Sequence, residues 1–263
     1  MSSETTAAAS HQAELWSERA HDWAELVESE ADPWLKPLYE EVLERLEVRT
    51  GTALLDVGCG AGRFAAMASG RGATISGLDV TPAFITIARE HTPDGDFRLG
   101  DLQMLPWADD AFDVVTGFNS FFYADDLSQA LREAHRVARP GARLGMTAFG
   151  RGENGDVAPL FELLAGALPA LATEEDDAPT LEQFLTEAGF AVELAEYRMI
   201  SETYPDLNTL IRGFLAIGPL RQVVRAIGEE KVTECTRNAF SPLVGRDGRV
   251  TLTDEYRLLL ARA

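Results

Sequence analysis

Leu54-Leu-Asp-Val-Gly-Cys-Gly-Ala-Gly62 is an apolar run that ends in an acid and opens into three alternating glycines. Leu54, Leu55 and Val57 read as a strand buried on both faces, the pattern of a parallel sheet. Gly58, Gly60 and Gly62 predict a sharp turn, and Arg63-Phe-Ala-Ala-Met-Ala68 reads as the helix leaving it. Strand, glycine turn and helix N-terminus together let a ligand lie against bare backbone. A nucleotide-like cofactor is expected here.

The spacing narrows the choice. A dinucleotide fingerprint runs G-x-G-x-x-G, and its third glycine falls where this chain has Arg63. A P-loop needs Gly-Lys-Ser/Thr after its glycines, and none follows. A nicotinamide-dependent oxidoreductase is therefore the weaker reading. Ala73-Thr-Ile-Ser-Gly-Leu-Asp79 is a second strand ending in an acid, roughly twenty residues on, the spacing at which a carboxylate meets ribose hydroxyls. Hydrogen bonds to a charged group contribute roughly 1.5–3 kcal/mol. Thr81-Pro82 supplies an N-cap and an N1 proline for the next helix, which leaves Asp79 to a ligand.

Outward from these strands, residues 1–10 read as a disordered tail and 11–49 as an N-terminal helical cap, with apolar residues at helical spacing over 11–29 and 34–48. Residues 50–150 form the cofactor-binding core. Strands are expected at 53–57, 73–79, 97–99, 112–118 and 142–149, with helices at 62–69, 82–91 and 127–138 between them. Residues 151–263 complete the sheet with strands at 190–200 and 250–260. Helices are expected at 160–171, 180–188, 207–227 (interrupted by Gly213 and Gly218-Pro219) and 231–240, and those within 151–172 and 203–240 are insertions that form a lid with the N-terminal helix. Glu174-Glu-Asp-Asp177 is a solvated acidic turn. Alternating strands and helices argue for a parallel sheet.

Composition excludes several classes. The 263 residues are 46% hydrophobic, enough for a sizeable core. Forty-three acids against 23 bases give a net charge of −20, which repels phosphate backbones and anionic membrane surfaces. No nucleic acid and no membrane are expected as partners. Two cysteines, Cys59 and Cys235, make no disulfide framework and no metal spacing, so no metal is expected. Met1 to Ser10 has no apolar signal core, and no run reaches spanning length. A cytoplasmic protein is the expectation, with homo-oligomerisation left open.

The G-x-G-x-G turn after a strand ending in Asp resembles motif I of the class I S-adenosylmethionine-dependent methyltransferases. Phe97-Arg-Leu-Gly-Asp101, Leu105-Pro106, Phe112-Asp-Val-Val115 and Glu133-Ala-His-Arg-Val-Ala-Arg-Pro-Gly141 are similar to later motifs of the small-molecule, ubiquinone/menaquinone-biosynthesis-like branch, which also includes natural-product tailoring enzymes. The resemblance is specific over about residues 50–150. It implies an α/β fold: a doubly wound, mostly parallel, seven-stranded Rossmann-like sheet under a helical lid. It implies S-adenosyl-L-methionine as cofactor, leaving S-adenosyl-L-homocysteine. Carried over, Asp56, Gly58, Cys59 and Gly60 hold the methionine part, and Asp79 the ribose with Val80 beside the adenine. Asp101 and Leu102 read the adenine edge, and Asn119 and Ser120 face the methionine part and the methyl group.

The partner is then a small-molecule acceptor methylated at O, N or C. A base for an acidic nucleophile would most naturally be histidine. His11 and His21, in the helix that covers the cofactor in this family, are the candidates; His91 and His135 read as structural. Trp16 and Trp23 share a helix face, and Phe121 and Tyr123 follow the fourth strand. These four are the candidate substrate contacts, suited to an aromatic or lipophilic acceptor. Three other readings compete. One is an enzyme of the same fold and cofactor that catalyses a non-methylating rearrangement or cyclisation. The others are the oxidoreductase and a non-catalytic binding module.

Overall fold

The sheet grows outward from the glycine-flanked strand. β1 (Ala53–Val57) has Leu54, Leu55 and Val57 fully buried, and it pairs in parallel with a neighbour on each side. These are β2 (Thr74–Asp79) and β4 (Phe112–Phe118). β3 (Asp96–Leu99) extends the sheet beyond β2, and β5 (Ala138–Phe149) beyond β4. The strand order is β3-β2-β1-β4-β5-β7-β6, with β7 (Val250–Arg262) antiparallel to both β5 and β6 (Ala191–Tyr204). This is the seven-stranded, mostly parallel sheet the sequence predicts. The order reverses beside β1, so the carboxyl ends of β1, β2 and β4 open a crevice at a topological switch point.

The computed structural model describes residues 6–29, 34–151, 154–160, 162 and 180–263. The expected acidic turn at 174–177, and the expected helix at 160–171 apart from Leu160 and Glu162, lie outside these residues. Helices α1 (Ala7–Ser17), α2 (Ala20–Leu26), α3 (Lys36–Arg45), α4 (Arg63–Gly70), α5 (Pro82–His91) and α6 (Leu127–Val137) belong to the first half. α7 (Leu181–Glu187), α8 (Leu207–Phe214), α9 (Gly218–Ile227) and α10 (Glu229–Phe240) follow. One face of the sheet packs Leu38, Val42, Phe64 and Ile85 from α3, α4 and α5. The other packs Leu131, Ala134 and Leu185 from α6 and α7. α8, α9 and α10 bury their own cluster of Leu210, Phe214, Leu220, Val232 and Phe240 above the far ends of β6 and β7.

Three local expectations are corrected and one interruption is found where it was expected. The Thr6 hydroxyl accepts from Ala9 N at 3.1 Å and starts α1 at Ala7, within the segment read as a disordered tail. The single helix expected over 11–29 breaks at Arg19 (φ −137°, ψ 35°) into α1 and α2. The interruption expected at Gly218-Pro219 within 207–227 is present, with Ile217 extended and Pro219 opening α9, whereas Gly213 stays inside α8. β6 runs four residues past the expected end, because Ser201–Thr253 and Thr203–Thr251 hydroxyl pairs at 2.8 and 2.9 Å continue the ladder. No helix among the described residues is long and apolar enough to cross a membrane.

Candidate cofactor and substrate cavity

All three glycines of the turn are left-handed, with φ of +73°, +53° and +82° at Gly58, Gly60 and Gly62. Two of the three are also hemmed in by neighbours that cannot swing away. A Cβ on Gly58 would sit 2.3 Å from Ser120 Cβ, and one on Gly62 would sit 2.9 Å from Ala88 Cα. Gly62, not position 63, is thus where this turn lets α4 lie close to α5. At Gly60 the neighbour is a carboxylate: a Cβ would meet Glu28 Oε1 at 2.3 Å.

Three carboxylates converge on this turn. Asp56 accepts from the Thr116 hydroxyl at 2.8 Å. Asp79 accepts from Gly60 N at 3.0 Å and Thr81 N at 2.8 Å. Glu28 accepts from the Trp23 indole N–H at 2.7 Å and from Arg63 N at 3.4 Å. All three are buried. Burial, and then the neighbouring carboxylates, push Glu28 up to about 7. Burial and the Asp79 charge do the same for Asp56, against the lowering hydrogen bond from Thr116, again to about 7. Burial also raises Asp79, against its backbone hydrogen bonds. The Thr81 side chain makes no cap hydrogen bond for α5; Thr81 serves Asp79 through its amide. The expected division of labour between the two residues is corrected accordingly.

The cavity above the turn spans about 1050 Å³ when its open mouth and the solvent space there are included. Its described lining holds Glu28, Asp56 and Asp79 and no lysine, arginine or histidine. Trp16, Trp23, Trp34, Tyr39, Phe64, Phe84, Phe118, Tyr123 and Phe149 supply the walls. Trp16 and Trp23 meet edge to face, 4.8 Å between centroids, and Trp16 lies 6.1 Å from Tyr123. Desolvated acids and ring faces without a cation complement a positively charged ligand.

Of the sequence candidates, Asp56, Gly58, Cys59, Gly60, Asp79, Val80, Leu102, Asn119 and Ser120 line this cavity, as do Trp16, Trp23 and Tyr123. Asn119 is left-handed (φ +49°), and its side-chain oxygen accepts from the Thr147 hydroxyl at 3.2 Å. The Ser120 hydroxyl donates to Val57 O at 2.6 Å. Four candidates fall elsewhere. The Asp101 carboxylate accepts from Gln103 N at 2.9 Å and from Thr6 N at 3.3 Å, so it holds its own turn and the start of α1. Phe121 is 1% exposed and packs in the core with Leu55 and Val115, because its one-turn helix folds the ring back against Gly117 of β4. His11 and His21 are exposed. His11 Nε2 accepts from the Gln222 side-chain amide at 3.0 Å, and neither ring lines the cavity. Sequence reasoning missed Glu28, Trp34, Tyr39, Phe64, Phe84, Phe118 and Phe149. Glu28 carries no local signal, since an acid at a helix end reads as solvated.

The methyltransferase domain family matches residues 55–146. The chain is 40% identical over 114 residues to methyltransferase GfsG of Streptomyces halstedii, a match covering 41% of each chain. It is 31% identical over 194 residues to the malonyl-[acyl-carrier protein] O-methyltransferase of Serratia marcescens, covering 69% of this chain and 71% of that one. Its fold matches the crystal structure of the MccD protein with a TM-score of 0.58 at 20% identity, over 89% of this chain and 99% of that one. The chain belongs to the class I S-adenosylmethionine-dependent methyltransferases of the small-molecule type. The cofactor of that family carries a sulfonium, an ammonium and a carboxylate, a net positive charge, and the three acids of the described lining fit its two cationic groups.

Proposed function

We propose that this chain moves the methyl group of S-adenosyl-L-methionine onto O, N or C of a small aromatic or lipophilic acceptor bound in the same cavity. One observation carries this reading. Three buried acids sit against the glycine turn, with no cationic side chain among the described lining and aromatic rings above. Asp79 would hold the ribose hydroxyls, with Val80 and Leu102 beside the adenine. Glu28 and Asp56 would answer the positive charge of the methionine part, near Asn119 and Ser120. When bound, the cofactor supplies an electrophilic methyl on a sulfonium. Trp16, Trp23, Phe118, Tyr123 and Phe149 would orient the acceptor ring and exclude water. Positioning of this kind is worth roughly 7–11 kcal/mol in well-oriented systems. With His11 and His21 outside the cavity, positioning rather than a histidine base carries the reaction.

Incubation with methyl-labelled S-adenosylmethionine and a panel of phenols, quinols, amines and lipophilic acids tests the reading. Label transfer to at least one ring-bearing acceptor is expected. Product formed without loss of the methyl would overturn it in favour of a rearrangement. Asp79→Ala should abolish donor binding in calorimetry with an unchanged far-ultraviolet spectrum.

A further inference from the structure

A second crevice, water-sized inside, lies beside the main cavity, lined by Trp23, Trp34, Glu202, Phe214, Ile217 and Asp254 among others. It shares Trp23, Val27, Trp34 and Ile217 with the main cavity, so the two are immediate neighbours. Its described lining holds two acids and no cation.

Asp254 decides what the crevice can bind. It is 4% exposed. Its Oδ1 accepts from Val157 N at 3.0 Å, which pins the loop before β6 to β7. Its Oδ2 is buried with no hydrogen-bond partner. Two residues along the same strand, and so on the same face of the sheet, the Tyr256 hydroxyl is 1% exposed and equally unpartnered. Holding the loop needs one carboxylate oxygen, which leaves the other without a structural task. A buried polar atom left unpaired costs about 1–3 kcal/mol, more for a charged group. The rings around it are arranged as walls. Trp23 and Trp34 stand 6.0 Å apart at 76°, and Trp34 and Tyr256 stand 5.8 Å apart at 78°. Glu202 closes the crevice, accepting from the Tyr204 hydroxyl at 2.9 Å.

We propose that this crevice seats an ammonium group carried by the methyl acceptor, with Asp254 as its counter-ion and the faces of Trp23, Trp34 and Phe214 as its walls. This rests on the methyl-transfer reading above and adds the acceptor's chemical class: a ring-bearing or lipophilic amine. Aromatic faces with a carboxylate recognise cations and reject anions. The crevice admits a group about the size of one water, which an ammonium matches, and the body of the acceptor would lie in the main cavity against the shared rings. Burial, together with Asp156, raises the Asp254 carboxyl to about 6, the penalty that a bound cation relieves.

Calorimetry on the full chain saturated with S-adenosylhomocysteine tests this, with phenethylammonium as the probe and 2-phenylethanol and phenylacetate as neutral and anionic controls. The ammonium should bind about tenfold or more tighter than the alcohol, and phenylacetate should bind weakest. Asp254→Asn keeps an oxygen for Val157 N and removes the charge, so it should erase most of that preference while leaving homocysteine-product affinity unchanged. Glu202→Gln, at a half-buried position away from the loop contact, should weaken ammonium binding in the same direction, and it serves if Asp254→Asn does not fold. Equal affinity for ammonium and alcohol, or a preference untouched by the folded variant, would overturn the assignment while leaving methyl transfer standing. Failure of S-adenosylhomocysteine to bind at all would overturn the methyl-transfer reading and the assignment with it.

Discussion

Gly62 and Glu28 show how individual residues set up the site. Gly62 needs a positive φ and has Ala88 backbone at 2.9 Å from any added Cβ. Gly62→Ala should therefore destabilise the fold by about 1–3 kcal/mol, through overpacking and strain together, read as a lower urea midpoint. Glu28 and Asp56 make a prediction about pH. Their ordinary values of 4.5 and 3.8 rise to about 7 in the folded chain. Between those limits the folded state binds more protons than the unfolded state. The stability these two acids contribute is thus complete below about pH 4 and is lost as pH rises through about 7. The carboxylates of Glu18, Asp22, Glu41 and Asp113 are held below their ordinary range by arginine partners, and for Asp113 also by the Ala53 amide. They act the other way, losing stability at acid pH. The thermal midpoint of the ligand-free chain should pass through a maximum below neutrality. Donor affinity should climb over the same rise to pH 7–8, as Glu28 and Asp56 ionise. A ligand-free midpoint that climbs steadily from pH 5 to 7.5 would contradict the placement of these acids.

At the scale of elements, the cap is held by charge as much as by packing. Glu18 on the α1–α2 connection meets Arg221 at 2.6 Å and also Arg225, both on α9. Asp22 on α2 meets Arg212 of α8 at 2.6 Å, and Arg19 meets Glu229 of α10 at 2.7 Å. Arg221 is the most buried of these cations and also touches Glu229 at 3.2 Å. Most exposed pairs contribute little singly, whereas losing a buried member leaves its partners uncompensated. Arg221→Gln should speed hydrogen exchange across α1 and α2 several-fold and weaken donor binding, because Trp16, Trp23 and Glu28 ride on that cap. Exchange in β1, β4 and β5 should stay unchanged. Uniform acceleration over the sheet would show that the cap is not a separate unit of stability. These pairings join residues about two hundred positions apart. An amphipathic pattern says that a helix has an inner face, not which helix meets it, so the lid was legible as helices but not as a lid clasped by the cap. The same blindness let α1 and α2 read as one helix.

For the whole molecule, the switch point beside β1 and the helical cover define one binding crevice, and ligand binding there should be felt by the entire fold. S-adenosylhomocysteine at about a hundredfold over its dissociation constant should stabilise the chain by about 2.7 kcal/mol. For a domain of this size that is a rise in thermal midpoint on the order of 5–10 °C, and NADH should produce none. A shift with NADH alone would return the oxidoreductase reading to first place. The core was read from sequence to within a few residues, because β1, β2 and β4 are short apolar runs punctuated by glycine and acid. That Asp56, Gly58, Gly60 and Asp79 line one cavity was equally legible, because they follow one another along two strand ends, where local order and spatial order coincide. By itself the sequence determined the parallel sheet and the glycine turn, consequences of hydrophobic period and backbone freedom within some thirty residues, while the class of cofactor was implied by the resemblance of that turn to the family's motif. Only the tertiary structure decided that Phe121 belongs to the core, that His11 and His21 face away from the cavity, and that Glu28 and Asp254 are buried acids. Burial and charge pairing depend on which distant surfaces meet, and no local spacing records that.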